Sequence, residues 1–325
     1  MLAQHTGQMS TILLTVEKAI YRFCDVLQTR SMNPAHSREE SHESRSQALR
    51  LNLSLSCASN IDPRVQVTEL KRLEQTTVAI SGGCGDIGHA VARRLIEEGA
   101  RVILLDRNPK ELLSADLLNN TNVTYFACDV TDRDAVQSAL TESLKSHNRL
   151  DVVIANAGTV INEPFLEINP ANLRTTMEVN FYGAFNLAQL AARVMVSQEP
   201  VRGVRGKLLF TGSWVQDMPF PEGTSYICSK SAVKMMAMVM AQELASQGIR
   251  VNILAPGIVY AGLSKKLHDV QPDFRERVSA AIPLNEMQTA ESVANGFAFL
   301  CSKDSDYMTG STLLIDGGAT LVKRT

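Results

Sequence analysis

Apolar and polar positions from Thr76 onward alternate between short apolar runs and stretches with helical period. The apolar runs are rich in Val, Ile and Leu, and helical stretches such as 89–99 and 134–147 lie between them. Strands of this kind, separated by helices, are typical of a parallel sheet covered on both faces. The pattern predicts an α/β fold, a doubly wound seven-stranded parallel sheet in three α/β/α layers, with a ligand site at the carboxyl ends of the strands. The predicted strands are 76–81, 101–106, 123–129, 150–157, 206–213, 250–257 and 311–317.

The N-terminal part of the chain has a different composition. Residues 28–60 are rich in Ser, Arg and Glu, which is typical of a disordered linker. Residues 12–27 have apolar positions with helical period, but charged residues make this segment too polar and too short to span a bilayer. Glu17 and Asp25 argue against a mitochondrial presequence, while a membrane-surface or partner-binding helix stays open. The predicted domains are an N-terminal extension over 1–72, partly helical and partly disordered, and a dehydrogenase/reductase domain over 73–325.

Charge and cysteine usage exclude several function classes. The formal net charge is −2, so no excess of positive charge indicates a nucleic-acid or anionic-membrane partner. The six cysteines are scattered without a C-x-x-C pair, and the six histidines are scattered too. We therefore expect no metal site and a reducing compartment, the cytoplasm, with mitochondrial import as the alternative.

A glycine-rich turn joins the first predicted strand to a helix. Glycines let the backbone turn tightly and approach a pyrophosphate, which the positive helix N-terminus stabilises. A carboxylate beside a diphosphate is unfavourable, so we interpret Asp86 as a helix cap that points away from the ligand. The candidate pyrophosphate-binding residues are Ser81, Gly82, Gly85, Asp86, Ile87 and Gly88.

The second predicted strand ends at Asp106, 18 residues past Gly88. A carboxylate there can accept hydrogen bonds from the adenosine ribose hydroxyls and would repel a 2′-phosphate, which favours NAD(H) over NADP(H). Arg107 follows directly and can instead pair with such a phosphate. The alternative for Asp106 is a loop residue that starts the turn before Pro109.

Ser213, Tyr226 and Lys230 form the candidate catalytic group. Tyr226 and Lys230 are four residues apart and so share one face of a helix. A nearby ammonium lowers the pKa of a phenol from its ordinary value of about 10, which would make Tyr226 usable for proton transfer. The hydroxyl of Ser213 can hold a carbonyl oxygen while negative charge develops on it. Tyr-x-x-x-Lys alone is expected about once by chance in a chain of this length, so the pattern needs the cofactor site upstream.

Taken together, these residues resemble the short-chain dehydrogenase/reductase family in its single-domain form, over residues 76–318. The resemblance rests on SGGCGDIG, CDV, NAG, VNFYGAF, the spacing of the catalytic group, APG and the DGG ending. It implies a Rossmann fold, catalytic Asn180, Ser213, Tyr226 and Lys230, and Tyr226 and Lys230 beside the nicotinamide ribose. It also implies cofactor contacts by Asp129 and Val130 at the adenine, Asn156, Ala157 and Gly158 at the adenosine ribose, and Pro256, Gly257, Ile258 and Val259 at the nicotinamide.

Two positions depart from the family pattern. Asp86 stands where a glycine is usual, although Gly82, Gly85 and Gly88 match the spacing of longer family members. Ala261 stands where members often carry a threonine that binds the carboxamide. The main-chain groups of Ile258 and Val259 are then expected to hold the carboxamide instead.

The implied function is an NAD(P)-dependent oxidoreductase that transfers a hydride between the nicotinamide and a carbonyl or secondary alcohol. The alternative is a catalytically silent dinucleotide-binding regulatory protein on the same fold, which the four catalytic residues disfavour. A lyase or epimerase is a further alternative, but such relatives carry a larger C-terminal substrate domain, and about seven residues follow Gly318.

The residues expected around the substrate are mostly apolar, which suits a ketone of moderate size. We expect segment 260–278, here called the lid, to close over them; Lys265 and Lys266 in the lid would meet an acyl-carrier phosphate or simply face solvent. In the family that the chain resembles, long helices such as those at about 170–196 and 224–247 pack against their copies, which implies a homodimer or homotetramer, although the run 235–241 can equally face the sheet. The expected pocket residues are Thr159, Val160, Ile161, Trp214, Val215 and Met218, with Tyr260, Leu263 and Leu267 from the lid, and Trp214 is equally suited to ordinary packing.

Overall fold

A computed structural model describes residues 71–321, so the predictions for residues 1–70 lie outside the described residues. Seven strands form one parallel sheet in the order β3-β2-β1-β4-β5-β6-β7. Each predicted strand is present, and the doubly wound fold is confirmed. The strands are β1 Thr77–Ser81, β2 Arg101–Asp106, β3 Val123–Ala127, β4 Val152–Ala155, β5 Gly206–Thr211, β6 Ile249–Pro256 and β7 Thr312–Ile315.

Helices cover both faces of this sheet. Helices α3, α5 and α6 pack on one face, and α1 and α9 pack on the other. The chain runs outward from β1 to β3 and then returns to β4, so the strand order reverses between β1 and β4 and opens a crevice at their carboxyl ends. The helices are α1 Asp86–Glu97, α2 Ala115–Leu118, α3 Arg133–His147, α4 Pro170–Met177, α5 Gly183–Val196, α6 Thr224–Leu244, α7 Gly262–Val270, α8 Pro272–Ala281 and α9 Ala290–Cys301.

Burial on both faces explains why the strands read as continuous apolar runs. In β4, Val153 and Ala155 belong to one core cluster, while Val152 and Ile154 belong to the cluster on the other face. Successive strand residues point to opposite faces of the sheet, and helices cover both faces. A polar side chain at any of these four positions would therefore be buried against a helix. Within residues 71–321, no helix is long and apolar enough to cross a membrane.

Two predicted segments are divided in the structure. The helix expected over 170–196 is interrupted by a π-helical turn at Glu178–Tyr182, which contains Asn180. The lid consists of the two helices α7 and α8. Both features lie at the carboxyl ends of the strands, where the candidate site is found.

Candidate active site at the carboxyl ends of the strands

The structure brings Ser213, Tyr226 and Lys230 together. Ser213 follows β5, and the other two residues lie in the first turns of α6. The Tyr226 hydroxyl interacts with the Ser213 side chain. The Lys230 Nζ lies 5.7 Å from the centre of the Tyr226 ring and donates a 2.8 Å hydrogen bond to the Thr211 carbonyl. The three residues, which are separated along the chain, therefore form one cluster in the structure.

Burial shifts the pKa values in this cluster. It raises the pKa of the Tyr226 phenol, although the interaction with Ser213 acts in the opposite direction. It lowers the pKa of Lys230 to about 8. The expected downward shift of the phenol is thus not what the structure gives, because the loss of hydration outweighs the other effects. Tyr226 is a protonated phenol at neutral pH, the form that can donate a proton.

Asn180 connects α6, the helix that carries Tyr226 and Lys230, to the loop after β4. Its Oδ1 accepts a 2.7 Å hydrogen bond from the Thr159 N–H, and its Nδ2 donates to the Thr159 carbonyl at 2.9 Å. The same Nδ2 donates to Ser229 Oγ at 2.9 Å, and that hydroxyl donates to the Tyr226 carbonyl at 2.7 Å. Because Asn180 is buried, these bonds fix the relative position of the two segments.

Two positioning residues were missed by sequence reasoning. One is Ser229, described above. The other is Gln216, whose Oε1 accepts a 3.3 Å hydrogen bond from the Ser213 N–H while Ser213 Oγ accepts from the Val215 N–H at 3.4 Å. This reciprocal arrangement is a capping box, and a Ser followed three residues later by a Gln is the signal that could have shown it.

The glycine loop is packed too closely for side chains at three of its glycines, Gly82, Gly83 and Gly88. A Cβ atom at Gly88 would lie 2.2 Å from the Gly82 carbonyl oxygen. Gly82 has φ +70°, and a Cβ there would lie 2.9 Å from the Ala157 Cα. Gly85, in contrast, has ordinary room, with 3.5 Å to the nearest atom. The loop therefore has the tight backbone that a pyrophosphate cradle needs.

Ser81 and Asn156 join the ends of β1 and β4. Ser81 Oγ accepts the N–H groups of Asn156 and Ala157 at 3.0 and 3.1 Å. Asn156 Nδ2 donates to the Ser81 carbonyl at 3.1 Å, and its Oδ1 accepts from Thr211 at 3.1 Å. These bonds fix the ends of the two strands relative to each other. Gly158 follows, and a Cβ there would lie 3.3 Å from Asn180 Oδ1 and 3.7 Å from Lys230 Nζ.

The interpretation of Asp86 as the cap of α1 is wrong. Gly85 is the residue before the helix, and Asp86 is the first helical residue, without a side-chain cap in this helix. Its Oδ2 instead accepts a 2.8 Å hydrogen bond from the N–H of Gly262, at the start of the lid helix α7. A local motif suggested a local partner, whereas the fold supplies one from a segment 176 residues away.

Asp106 is buried at the end of β2 with its carboxylate facing the glycine loop. One oxygen accepts the Cys84 N–H at 2.9 Å, and the other accepts the Asn108 N–H at 2.9 Å. The bond from Asn108 is the one expected if Asp106 starts the turn before Pro109. Asp106 therefore both starts this turn and faces the glycine loop. Arg107 is exposed and acts electrostatically on Asp129, whose Oδ1 accepts from the Thr131 N–H at 2.9 Å. Val130, next to Asp129, is buried and packs close to Gly183.

The turn after β6 is held from two sides. The Gly257 N–H donates to the Ile315 carbonyl at 2.8 Å and to Gln288 Oε1 at 2.9 Å. A Cβ at Gly257 would lie 2.7 Å from the Asp316 Cα, so the turn needs glycine here. The Ile258 carbonyl accepts from the Gln288 N–H at 3.0 Å, and the Val259 carbonyl accepts from the Ala261 N–H at 2.8 Å. Pro256, Gly257, Ile258 and Val259 are thus presented at the same edge of the sheet as Tyr226.

An apolar cluster covers the Tyr226 side of the crevice. Trp214 and Val215 are buried in it, and Met218 and Ile258 pack against it. Thr159, Val160 and Ile161 are half-buried in the loop after β4. The lid residues expected to contribute do not belong to this cluster: Tyr260 and Leu263 are exposed, and Leu267 is half-buried elsewhere. Five other residues of the cluster come from α8 and the segments after it: Phe274, Val278, Ile282, Met287 and Ala319. Phe274, Val278 and Ile282 are spaced four residues apart, and this helical period is the sequence signal that could have indicated them.

The described residues include no cluster of three or more His, Cys, Asp or Glu side chains that could hold a metal ion. They fit a dinucleotide instead. Its expected contacts are the close-packed glycine loop, the carboxylate of Asp106 and the buried Lys230 beside Gly158.

The chain is similar to known proteins over most of its length. Residues 84–320 match the family model described as enoyl-(acyl carrier protein) reductase. The chain is 32% identical to glucose 1-dehydrogenase of Gluconobacter oxydans, over 75% of this chain and 91% of that protein. It is also 32% identical to a 3-oxoacyl-[acyl-carrier-protein] reductase of Thermotoga maritima, over 77% of this chain and 100% of that protein.

Solved structures show the same architecture. A gluconate 5-dehydrogenase from Burkholderia cenocepacia, in complex with NADP and tartrate, superposes with a TM-score of 0.71 at 28% identity, covering 78% of this chain and 98% of that one. An NAD⁺-bound xylitol dehydrogenase gives a TM-score of 0.70 at 25% identity, covering 76% of this chain and 100% of that one. The chain therefore belongs to the short-chain dehydrogenase/reductase family, whose members are NAD(P)-dependent oxidoreductases acting on carbonyl or alcohol groups.

Proposed function

We propose that this protein interconverts a ketone of moderate size, with apolar substituents, and the corresponding secondary alcohol, using NAD(H). The observation that carries the proposal is the cluster of Ser213, Tyr226 and Lys230 beneath an apolar wall. When bound, the nicotinamide supplies the hydride acceptor or donor. The protein supplies orientation and proton transfer.

Each catalytic side chain has a role that its surroundings support. In reduction, the Ser213 hydroxyl donates a hydrogen bond to the carbonyl oxygen, and Tyr226 supplies the proton. Burial keeps the Tyr226 phenol protonated at neutral pH, which suits a proton donor. Lys230 lies within the same pocket and would also hold the ribose hydroxyls of the nicotinamide. Asn180, fixed to Thr159, would keep the loop after β4 in register with the catalytic helix.

The mechanistic test is Tyr226→Phe, with Tyr307→Phe as a matched control because Tyr307 is fully exposed. Loss of the proton donor should lower kcat by about a thousandfold, while NADH still binds. The control should behave as the wild type. Turnover of Tyr226→Phe within a few-fold of wild type would overturn the assignment. A catalytically silent binding protein would show no turnover even in the wild type.

The preference for NAD(H) rests on Asp106. Its two N–H partners hold the carboxylate at the end of β2, where the adenosine ribose is expected. A 2′-phosphate there would meet this negative charge, so NADH should bind more tightly than NADPH. Separate titrations with the two cofactors test this, and Asp106→Ser should narrow the difference. Equal affinities in the wild type would contradict the proposal and would point to Arg107 as the phosphate partner.

The outward faces of α5 and α6 favour a homo-oligomer. In the run 235–241, Ala237 and Ala241 are buried against the sheet, whereas Met235 and Val239 point outward and are exposed. Phe185 of α5 is partly exposed too. Apolar faces of this kind are typical of interfaces, and we propose that two copies, or four, pack there.

We also propose that residues 73–325 are the catalytic domain and residues 1–72 an appendage. Arg72, just before that boundary, pairs with Glu98, and Leu73, just after it, is buried. A truncated chain that begins at residue 71 keeps both contacts and should retain fold and turnover. Loss of turnover in this truncation would assign the N-terminal residues a part in catalysis.

A further inference from the structure

Asp86 occupies an unusual position between two helices. It is the first residue of α1, and its Oδ2 accepts the N–H of Gly262, the first residue of α7, at 2.8 Å. The residue before α7 is Ala261, which has no side-chain acceptor, and α7 makes no side-chain cap bond of its own. The carboxylate of Asp86 therefore caps a helix from another part of the chain.

The charge of Asp86 suits both helix ends. Each helix N-terminus carries a partial positive charge, so one carboxylate placed between two of them is stabilised by both. Next to this hydrogen bond lies a cleft of about 300 Å³ between α1, α7 and the start of α9. The side chains of α1 and α7 are therefore separated along this cleft. The hydrogen bond from the Gly262 N–H to Asp86 links the two helices beside it. The cleft is lined by Asp86, His89, Arg93, Tyr260, Lys265 and Glu291, among others.

Helix α7 leads directly into α8, the helix that covers the catalytic residue. Phe274 and Val278 of α8 belong to the apolar cluster that also contains Trp214 and Tyr226. The position of α7 therefore sets how α8 lies over the substrate side of Tyr226. The connection runs from the glycine loop, through Asp86, to the lid and the catalytic tyrosine.

We propose that Asp86 is a positioning residue that caps α7 and holds the lid closed over Tyr226. This role goes beyond the proposed function and rests on it only for its effect on turnover. The same carboxylate lies at the helix end expected to receive the diphosphate, so its charge weakens dinucleotide binding while its hydrogen bond orders the lid. A glycine at this position would abolish both effects.

The test compares Asp86→Ala with Asp86→Asn. The alanine variant loses the acceptor, whereas asparagine keeps an acceptor oxygen and removes only the charge. Asp86→Ala should raise the KM for the carbonyl about fivefold, the effect of one modest hydrogen bond, with kcat nearly unchanged. Asp86→Asn, which keeps an acceptor oxygen but loses the charge that the N-terminus of α7 favours, should raise the KM by less. Both variants should bind NADH more tightly than the wild type does.

Hydrogen exchange of the amides at 262–266 gives a readout without turnover. In Asp86→Ala these amides should exchange about fivefold faster, whereas in Asp86→Asn, which keeps the acceptor and loses only the charge, the increase should be smaller. Glu291→Gln is the control, because Glu291 lines the same cleft and is not bonded to the lid. Unchanged exchange in Asp86→Ala, or an equal rise in KM in both Asp86 variants, would overturn the proposal. If the wild type reduces no carbonyl, the proposed function fails, but the exchange comparison still decides the role of Asp86.

Discussion

Gly88→Ala tests whether close packing of the glycine loop, rather than helix propensity, requires a glycine at this position. A Cβ at residue 88 would lie 2.2 Å from the Gly82 carbonyl oxygen and 3.0 Å from the Gly83 Cα, and both are backbone atoms. The loop must therefore move, and overpacking of this kind lowers the free energy of unfolding by about 2 kcal/mol. Displacement of the loop N–H groups should weaken NADH binding by about tenfold.

Gly85→Ala is the matched control in the same loop. A Cβ there has 3.5 Å to its nearest neighbour, and the backbone of Gly85, at φ −82° and ψ 162°, suits alanine. The free energy of unfolding should change by about 0.5 kcal/mol at most. Urea unfolding followed by circular dichroism, together with fluorescence titration with NADH, measures both quantities. Equal destabilisation by the two substitutions, or an unaffected Gly88→Ala variant, would refute the packing argument.

Further predictions concern proton transfer, stability, the lid and assembly. Because burial raises the Tyr226 pKa, carbonyl reduction should be constant from about pH 6 to 7, below the Lys230 pKa of about 8. Alcohol oxidation, which needs the phenolate, should rise over the same range, and a rate of oxidation independent of pH would contradict this. The Lys230 pKa of about 8 in the folded protein lies below its ordinary value of 10.5. Between these two pH values the folded state binds fewer protons than the unfolded state, so the contribution of Lys230 to the free energy of unfolding rises with pH. Urea unfolding at a series of pH values should therefore show that the stability advantage of Lys230→Met shrinks as the pH rises through this window; a constant difference would count against it. Phe274→Ala should raise the KM for the carbonyl in steady-state assays without changing NADH affinity, and weaker NADH binding would place Phe274 at the cofactor instead. The native chain should elute from a sizing column as a dimer or tetramer, and Met235→Glu should shift it to smaller species; a monomeric native chain would exclude the proposed interface.

Local patterns predicted most of the candidate catalytic residues. The four-residue spacing of Tyr226 and Lys230 places them on one helix face whatever surrounds that helix. The glycine loop is recognised because a strand precedes it and a helix follows it. The strands of the central sheet were predictable because they are buried on both faces and so read as apolar runs.

Longer-range features could not be predicted in the same way. The apolar cover over Tyr226 comes from Phe274 and Val278 of α8, rather than from Leu263 and Leu267, because the packing of α8 on Trp214 decides which helix faces the site. The predicted helix 170–196 contains a π-helical turn, where Asn180 makes hydrogen bonds to Thr159.

The sequence by itself determined the order of strands and helices, the glycine loop between β1 and α1, and the spacing of the candidate catalytic residues. These depend on residues close together in the chain, where periodicity, turn geometry and i,i+4 spacing act. Only the tertiary structure decided that Asp86 caps α7 and that the phenol of Tyr226 is harder to ionise than in water. Both outcomes depend on hydration and on hydrogen-bond partners that come from segments far apart in the chain, which local patterns do not encode.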